Sequence, residues 1–458
     1  MLPNKTLEYR LRPEEQAGKA PLAIVVPSLK YLIKINGTSG VSIRSLTLAH
    51  TEWELSSRTQ ESWRDRRLMP PPASGSRITG SGPLPVATQM VEGWKADGLA
   101  IDNCTLRNGG AAGVSVMHSR DVSITRSVFA DFGASAIELV VANNALVSDC
   151  RVRRPGQVWQ QGVGVEVAHS TNATVTRCEL SEHPSDGVAI SGVGLVHNNT
   201  LSYSMLHDFG QAGTVSRDAN ETISGWGGVH TAHPNVTGTA SHVHHNVFVN
   251  FSSFALGGTS LYFDYGSSGC NASQNLAHNT GSGIFFNSNK EVAGWPGSWQ
   301  ALTDNIFVHD HWNPHDLNTV IHWRTLAPAG SSRRNIFYVT RRANATGDLR
   351  LFHDHTATQP TQWDSFDWDW NQYYSEAEPT SVAPFGDTWP FHVNLSAWRL
   401  HGKDQHSVIG DPQFVDPLGG NFRLRATSPA LHRLGFREWN HTLVGPACKG
   451  IGEGSVVC

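Results

Sequence analysis

The sequence predicts an all-β fold, a right-handed parallel β-helix (solenoid) with a C-terminal capping segment. Three observations predict it. First, a V-x-x-N/C/S-x-L/F pattern recurs about every 20–30 residues, the spacing of stacked units. It reads Ile101-Asp-Asn-Cys104-Thr-Leu106, Ile124-Thr-Arg-Ser127-Val-Phe129, Val147-Ser-Asp-Cys150-Arg-Val152 and Val175-Thr-Arg-Cys178-Glu-Leu180. It continues as Val196-His-Asn-Asn199-Thr-Leu201 and Val243-His-His-Asn246-Val-Phe248, with Asn275, Asn305 and Asn335 in the same slot later. Second, apolar residues alternate within each copy, which makes the unit a strand. Third, Cys, Ser and Asn share one slot, as an inward polar ladder between neighbouring rungs requires. Units this small cannot bury their own apolar face and must stack.

Residues 1–90 are expected to hold lead-in strands and a loop. Apolar runs at Leu22–Pro27 and Val41–His50 are followed by an Arg-, Pro-, Ser- and Gly-rich stretch over 56–85. Asn-x-Ser/Thr sequons start at Asn4, Asn36, Asn103, Asn172, Asn198, Asn220, Asn235, Asn250, Asn271, Asn344, Asn394 and Asn440. Their number predicts a secreted or cell-surface glycoprotein. The first ten residues lack an apolar signal core, so the expectation is a chain missing its natural start.

Residues 91–345 are expected to form the β-helix. Each copy carries a second strand, usually opened by glycine, as at Gly113, Gly164, Gly187, Gly228 and Gly283. Period two places Val114, Ile137, Val165, Ile190, Leu261 and Ile284 inside. One outward column then holds Ser115, Glu138, Glu166, Ala189, His230, Tyr262 and Phe285. The other holds Met117, Val140, Ala168, Ser191, Ala232, Asp264 and Asn287. Insertions at 205–226 and 289–300 break the regularity and flank the stretch where a site is expected.

Residues 346–458 are expected to form a C-terminal cap and tail over the open end of the solenoid. Cys448 and Cys458 flank a Gly-rich segment and are placed to close a disulfide loop. Cys150 and Cys178 fall on successive rungs, either as buried thiols or as a disulfide. A net charge of −4 provides no basic field for nucleic acid. No run of about 18 apolar residues exists to span a membrane. Without C-x-x-C or carboxylates beside His242, His244 and His245, no metal or other cofactor is implied. A monomer is expected.

Three segments also carry a family resemblance. The segment Gly410-Asp-Pro-Gln-Phe-Val-Asp-Pro-Leu-Gly-Gly-Asn-Phe-Arg-Leu424, with Ser428-Pro-Ala-Leu431 and Leu434-Gly-Phe436, resembles the C-terminal signature of β-helix proteins similar to glycoside hydrolase family 141. Val25-Val-Pro-Ser-Leu29 with Ile43-Arg-Ser-Leu-Thr-Leu-Ala-His-Thr51 resembles that family's approach to the helix. Leu261-Tyr-Phe-Asp-Tyr-Gly-Ser-Ser268 resembles its Leu-Asp-x-Gly-Ser-Ser turn. The resemblance implies a glycosidase acting on plant- or algal-type polysaccharide, of α-L-fucosidase or xylanase kind. It implies carboxylate catalysis, with Asp264 matching one catalytic-type aspartate. Gly225 stands where the second aspartate of the family would be, and Phe285-Phe-Asn-Ser-Asn289 replaces its His-containing segment.

Glycoside hydrolysis ordinarily uses two carboxyl groups, roughly 5–5.5 Å apart for retention or 6.5–9.5 Å for inversion. Asp264, His230 and Asp186 are the expected catalytic residues, with Asp186 two rungs from Asp264. Glu166, three rungs away, is expected to contact sugar, with Tyr262, Asn287, Trp226 and Trp295. The expected partner is a polysaccharide or oligosaccharide. Two rival functions stand beside hydrolysis. A polysaccharide lyase or epimerase wants a Lys or Arg, which the outward columns do not supply. A non-catalytic glycan-binding solenoid suits Gly225.

Overall fold

Period-two alternation makes each short strand bury one side and point the other outward, and stacking in parallel joins those buried sides into one core. The computed structural model describes residues 25–52, 88–158, 162–184, 186–191, 196–209, 229–232, 241–251, 258–264, 270–287, 299–309, 319–324, 329–341, 350–354, 366–376 and 395–447. Their strands form three long parallel sheets of 11, 11 and 12 strands, and each sheet takes every third strand in chain order. That is a right-handed parallel β-helix. One coil is typified by Ile137–Asn143, Leu146–Ser148 and Arg151–Arg153, one strand in each sheet. Coils also lie outside the expected 91–345 span. Ile33–Asn36, Ser42–Arg44 and Thr47–Ala49 form the first; Arg350–Asp354, Phe366–Asp369 and Gln372–Ser375 form the eleventh.

The corner between the second and third sheets is turned by a single left-handed residue. Asn103, Arg126, Asp149, Arg177 and His245 have φ between 49° and 56° there. The ladder residue follows it. Asn246, Asn275, Asn305 and Asn335 each donate to the side-chain oxygen of the next rung's Asn, at 3.0, 2.9, 2.9 and 3.2 Å, the last reaching Asn371. Each Oδ1 also accepts the preceding rung's backbone N–H, so no buried polar group of the column is stranded. Cys150 and Cys178 are free thiols in this column, each 3.3 Å from the carbonyl two residues back. Burial pushes the Cys150 thiol well above its ordinary range. The sixth rung corrects the sequence pattern. Its ladder residue is Ser204, bonded to Asn246, while Asn199 sits one corner earlier and bonds Ala173 and Ser170.

Glycine opens the strands of the first sheet because the corner leading into it is crowded. A Cβ on Gly164 would lie 2.2 Å from the His183 ring, and one on Gly187 would lie 2.6 Å from Leu206 and Phe209.

The far end of the core is closed by the segment after the eleventh coil. Trp398, on the short helix Leu395–Leu400, is part of the main core. The asparagine ladder ends on Asp404, which lies 3.4 Å from Asn371 and accepts from Ser407, Tyr373 and Trp398 at 2.5, 2.9 and 2.8 Å. Burial pushes its carboxyl up to about 7 despite these donors. The rest of the tail packs along the side of the helix. The antiparallel pair Phe414–Asp416 and Asn421–Leu424 sets Phe414, Phe422 and Leu424 against Val247, Leu276, Ile306 and Ile336 on the outer face of the third sheet. The chain then runs back along the left-handed corner. Arg437 N–H donates to Asp304, Trp439 packs on His245, Gly445 N–H donates to Tyr203 and Ala447 N–H donates to Asp149.

Candidate active site

The outer face of the first sheet carries the two columns in the order the alternation predicts. Ser115, Glu138, Glu166, Ala189, His230, Tyr262 and Phe285 are successive partners, and the column continues to His322 and His353. In the second column Asp264 pairs with Asn287, and Asn287 with Arg324. Arg324 corrects the expectation that no basic residue joins these columns. It ends the strand Thr319–Arg324, one coil beyond Asn287. The strand positions of His230, Asp264 and Asn287 are therefore defined, while their side chains lie outside the described ones. Trp226, Trp295, Cys448 and Cys458 lie outside the described residues altogether.

The structure brings together two carboxyls that the sequence reasoning did not pair. Glu138 and Glu166 are direct partners on adjacent parallel strands, which run about 4.8 Å apart. Glu138 is 2 % exposed and Glu166 is 1 % exposed. Burial pushes the Glu138 carboxyl up to about 7, against hydrogen bonds from Ser115 and Ser135 that pull it down. Its Oε1 has no hydrogen-bond partner among the described residues. Glu166 Oε1 accepts the Ser191 hydroxyl at 2.8 Å. The raised Glu138 value comes from burial, and a buried acid that keeps its proton near neutral pH is suited to general-acid work. The signal was present in the sequence, since Glu138 and Glu166 are neighbours in the outward column.

Asp186 does not join Asp264. Val188 pairs with Val229 and Val229 with Leu261, so Asp186, two residues before Val188, is level with Thr259. Asp264 lies five residues further along the strand direction, about 16 Å, and two strands over, about 10 Å. That exceeds the inverting range. Asp186 is instead fully buried at the crowded corner, where its carbonyl lies 3.4 Å from His183 Nδ1. Burial lowers His183 to about 4, so the ring is neutral. Tyr262 and Glu166 do not line an open groove either. Tyr262 is 1 % exposed, and Ala168 and Ala189 are fully buried. Alternation fixes which side of a sheet a residue takes; here the column of Glu166 and Tyr262 is covered, while Met117, Val140 and Ser191 in the adjacent column are half-buried.

Comparison with known proteins supports the fold. The family described as a right-handed β-helix region matches residues 90–240, about a third of the chain. No curated protein sequence matches the chain. Among solved structures, a glycoside hydrolase is 16 % identical with a TM-score of 0.41, over 61 % of this chain and 51 % of its own. A GH136 lacto-N-biosidase from Eubacterium ramulus is 13 % identical with a TM-score of 0.42, over 56 % and 48 %. A tailspike protein of the E. coli bacteriophage HK620 is 10 % identical with a TM-score of 0.36, over 64 % and 54 %. The chain thus spans about half the length of each of these proteins.

Proposed function

We propose that the chain is a carbohydrate-active β-helix protein, a glycoside hydrolase that cleaves plant- or algal-type polysaccharide by carboxyl acid/base chemistry outside the cell. The observation that carries this reading is the Glu138–Glu166 pair. Glu138, held protonated near neutral pH, is the acid that delivers a proton to the leaving glycosidic oxygen. Glu166, oriented by Ser191, is the second carboxyl. Because both are buried, turnover requires an open form of this face. Asp264 and Asn287, in the adjacent column on later coils, extend the same face as sugar contacts. The test is a panel of polysaccharides and aryl glycosides given to the wild type and to Glu138→Gln. Hydrolysis by the wild type alone supports the reading. Glycan binding without cleavage by either protein replaces it with the non-catalytic alternative.

One observation favours a second reading. Arg324 follows Asp264 and Asn287 in one column, and a basic residue beside an acidic sugar is what a polysaccharide lyase uses. Release of unsaturated oligosaccharide from a uronate polymer is the result that would favour it.

A further inference from the structure

We infer that the cleft between the third sheet and the C-terminal hairpin is a second saccharide-binding site, shaped for a neutral oligosaccharide. The inference rests on the carbohydrate reading above but not on the carboxyl pair. The cleft holds about 890 Å³ and runs between Asn250, Asn279 and Tyr374 on one side and the hairpin tip, Pro417 to Gly420, on the other. That volume is in the range of small-molecule sites. It lies on coils seven to eleven, away from Glu138 and Glu166 on coils four and five.

Its polar groups are held in place before any ligand arrives. Asn250 and Asn279 occupy left-handed corner positions, at φ 58° and 50°. Asn279 Nδ2 donates to Asn250 Oδ1 at 2.6 Å, and Asn250 Nδ2 donates to Asp208 at 3.0 Å. This chain leaves the Asn279 carbonyl and one hydrogen of each amide for hydroxyl groups. Glu376 accepts the Tyr338 hydroxyl at 2.5 Å and the Arg341 backbone N–H at 2.7 Å, which fixes its carboxylate in the cleft wall. Arg341 is exposed and lines the cleft. Tyr374 is braced by Tyr338, with ring centroids 5.4 Å apart. His278 packs against Phe422 at 5.1 Å in the cleft floor.

This inventory matches a pyranose chain. A sugar ring offers an apolar face to an aromatic side chain, and its hydroxyls both donate and accept. Amides, a fixed carboxylate and a guanidinium answer both needs. The charge balance selects against acidic sugars. The lining sets one carboxylate, Glu376, against one guanidinium, Arg341, and the neutral His278 adds no positive charge. A uronate entering the cleft would meet no net positive charge to hold it.

The experiment is an array carrying neutral plant and algal oligosaccharides and oligogalacturonates, probed with four full-length proteins. These are the wild type, Glu138→Gln, Tyr374→Ala and Arg341→Gln. Arg341 is exposed, so its variant tests the site even if Tyr374→Ala fails to fold. The expected result is binding of neutral oligosaccharides by the wild type and by Glu138→Gln, weakened at least tenfold by Tyr374→Ala and severalfold by Arg341→Gln. Unchanged binding in both cleft variants overturns the inference, even where Glu138→Gln abolishes hydrolysis and the proposed function stands. A preference for oligogalacturonates overturns the neutral ligand. Binding to nothing on the array overturns the site.

Discussion

Glu138 and Glu166 are direct partners on adjacent strands, on the outer side of the first sheet, and both are buried. A buried carboxyl with an unsatisfied oxygen is stable only while it keeps its proton. The folded protein retains the Glu138 proton up to about pH 7, whereas the unfolded chain releases it near 4.5. Between these values the native state binds more protons, so stability falls as pH rises through that window. Glu138→Gln has no proton to lose. The variant is expected to match the wild type near pH 4.5 and to exceed it by about 3 kcal/mol at pH 8. Urea unfolding at the two pH values checks this. An equal difference at both would show that Glu138 ionises normally in the fold.

The buried histidines act in the opposite sense. Burial lowers His183 and His278 to about 4, so the native state binds fewer protons than the unfolded chain between about 4 and 6.5. Stability from these groups is present above 6.5 and lost as pH falls through 4. His278→Phe, beside Phe422, is expected to unfold at lower pH than the wild type in an acid titration followed by circular dichroism. A coincident acid transition would contradict this account of the ring.

The asparagine ladder predicts a sharp contrast between two substitutions in one column. Asn305 Oδ1 accepts from both nitrogens of Asn275, and its Nδ2 donates to Ala272 and Asn335. Asn305→Ala strands several buried groups at once and is expected to lower stability by about 3 kcal/mol. Cys150→Ser keeps a small donor in the same slot, as Ser127 and Ser204 already do, and is expected to change stability by less than about 1 kcal/mol. Paired urea melts measure both.

Asp264 tests a different part of the face. Its position at the end of Thr259–Asp264, level with Asn287, suits a sugar contact. Asp264→Asn is expected to raise KM severalfold while leaving kcat within about threefold, since an interaction made equally in ground and transition states changes binding alone. A fall in kcat by orders of magnitude would instead move Asp264 into the acid/base role.

The strand pattern was legible because burial on one side imposes period two whatever the partners are. The slip at Asn199 has a physical source. Val196-His-Asn-Asn199-Thr-Leu201 imitates the ladder motif at a neighbouring corner, where Asn199 also bonds between rungs. The frequency of sequons has a similar source. Asn103, Asn172 and Asn198 are left-handed corner residues, and Thr105, Thr174 and Thr200, two positions on, begin strands. Corner chemistry favours Asn and strand chemistry favours Thr, so the fold itself generates Asn-x-Thr. Asp404 was not legible, because nothing local shows that it terminates a ladder built from residues on other rungs. Nor was the bond from Ala447 to Asp149, 298 residues apart, which no periodicity encodes. The cover over the first sheet is tertiary in the same way, which is why Glu166 and Tyr262 looked exposed from the sequence.

The most direct test of the central claim is turnover by Glu138→Gln and Glu166→Gln on whichever glycan the wild type hydrolyses, with melting temperature measured on the same preparations. Loss of either carboxyl is expected to cut kcat by about a thousandfold or more, which corresponds to about 4 kcal/mol of barrier, without lowering the melting temperature. Wild-type turnover in both amides, whatever their stability, would show that the pair is structural and that hydrolysis, if present, resides elsewhere.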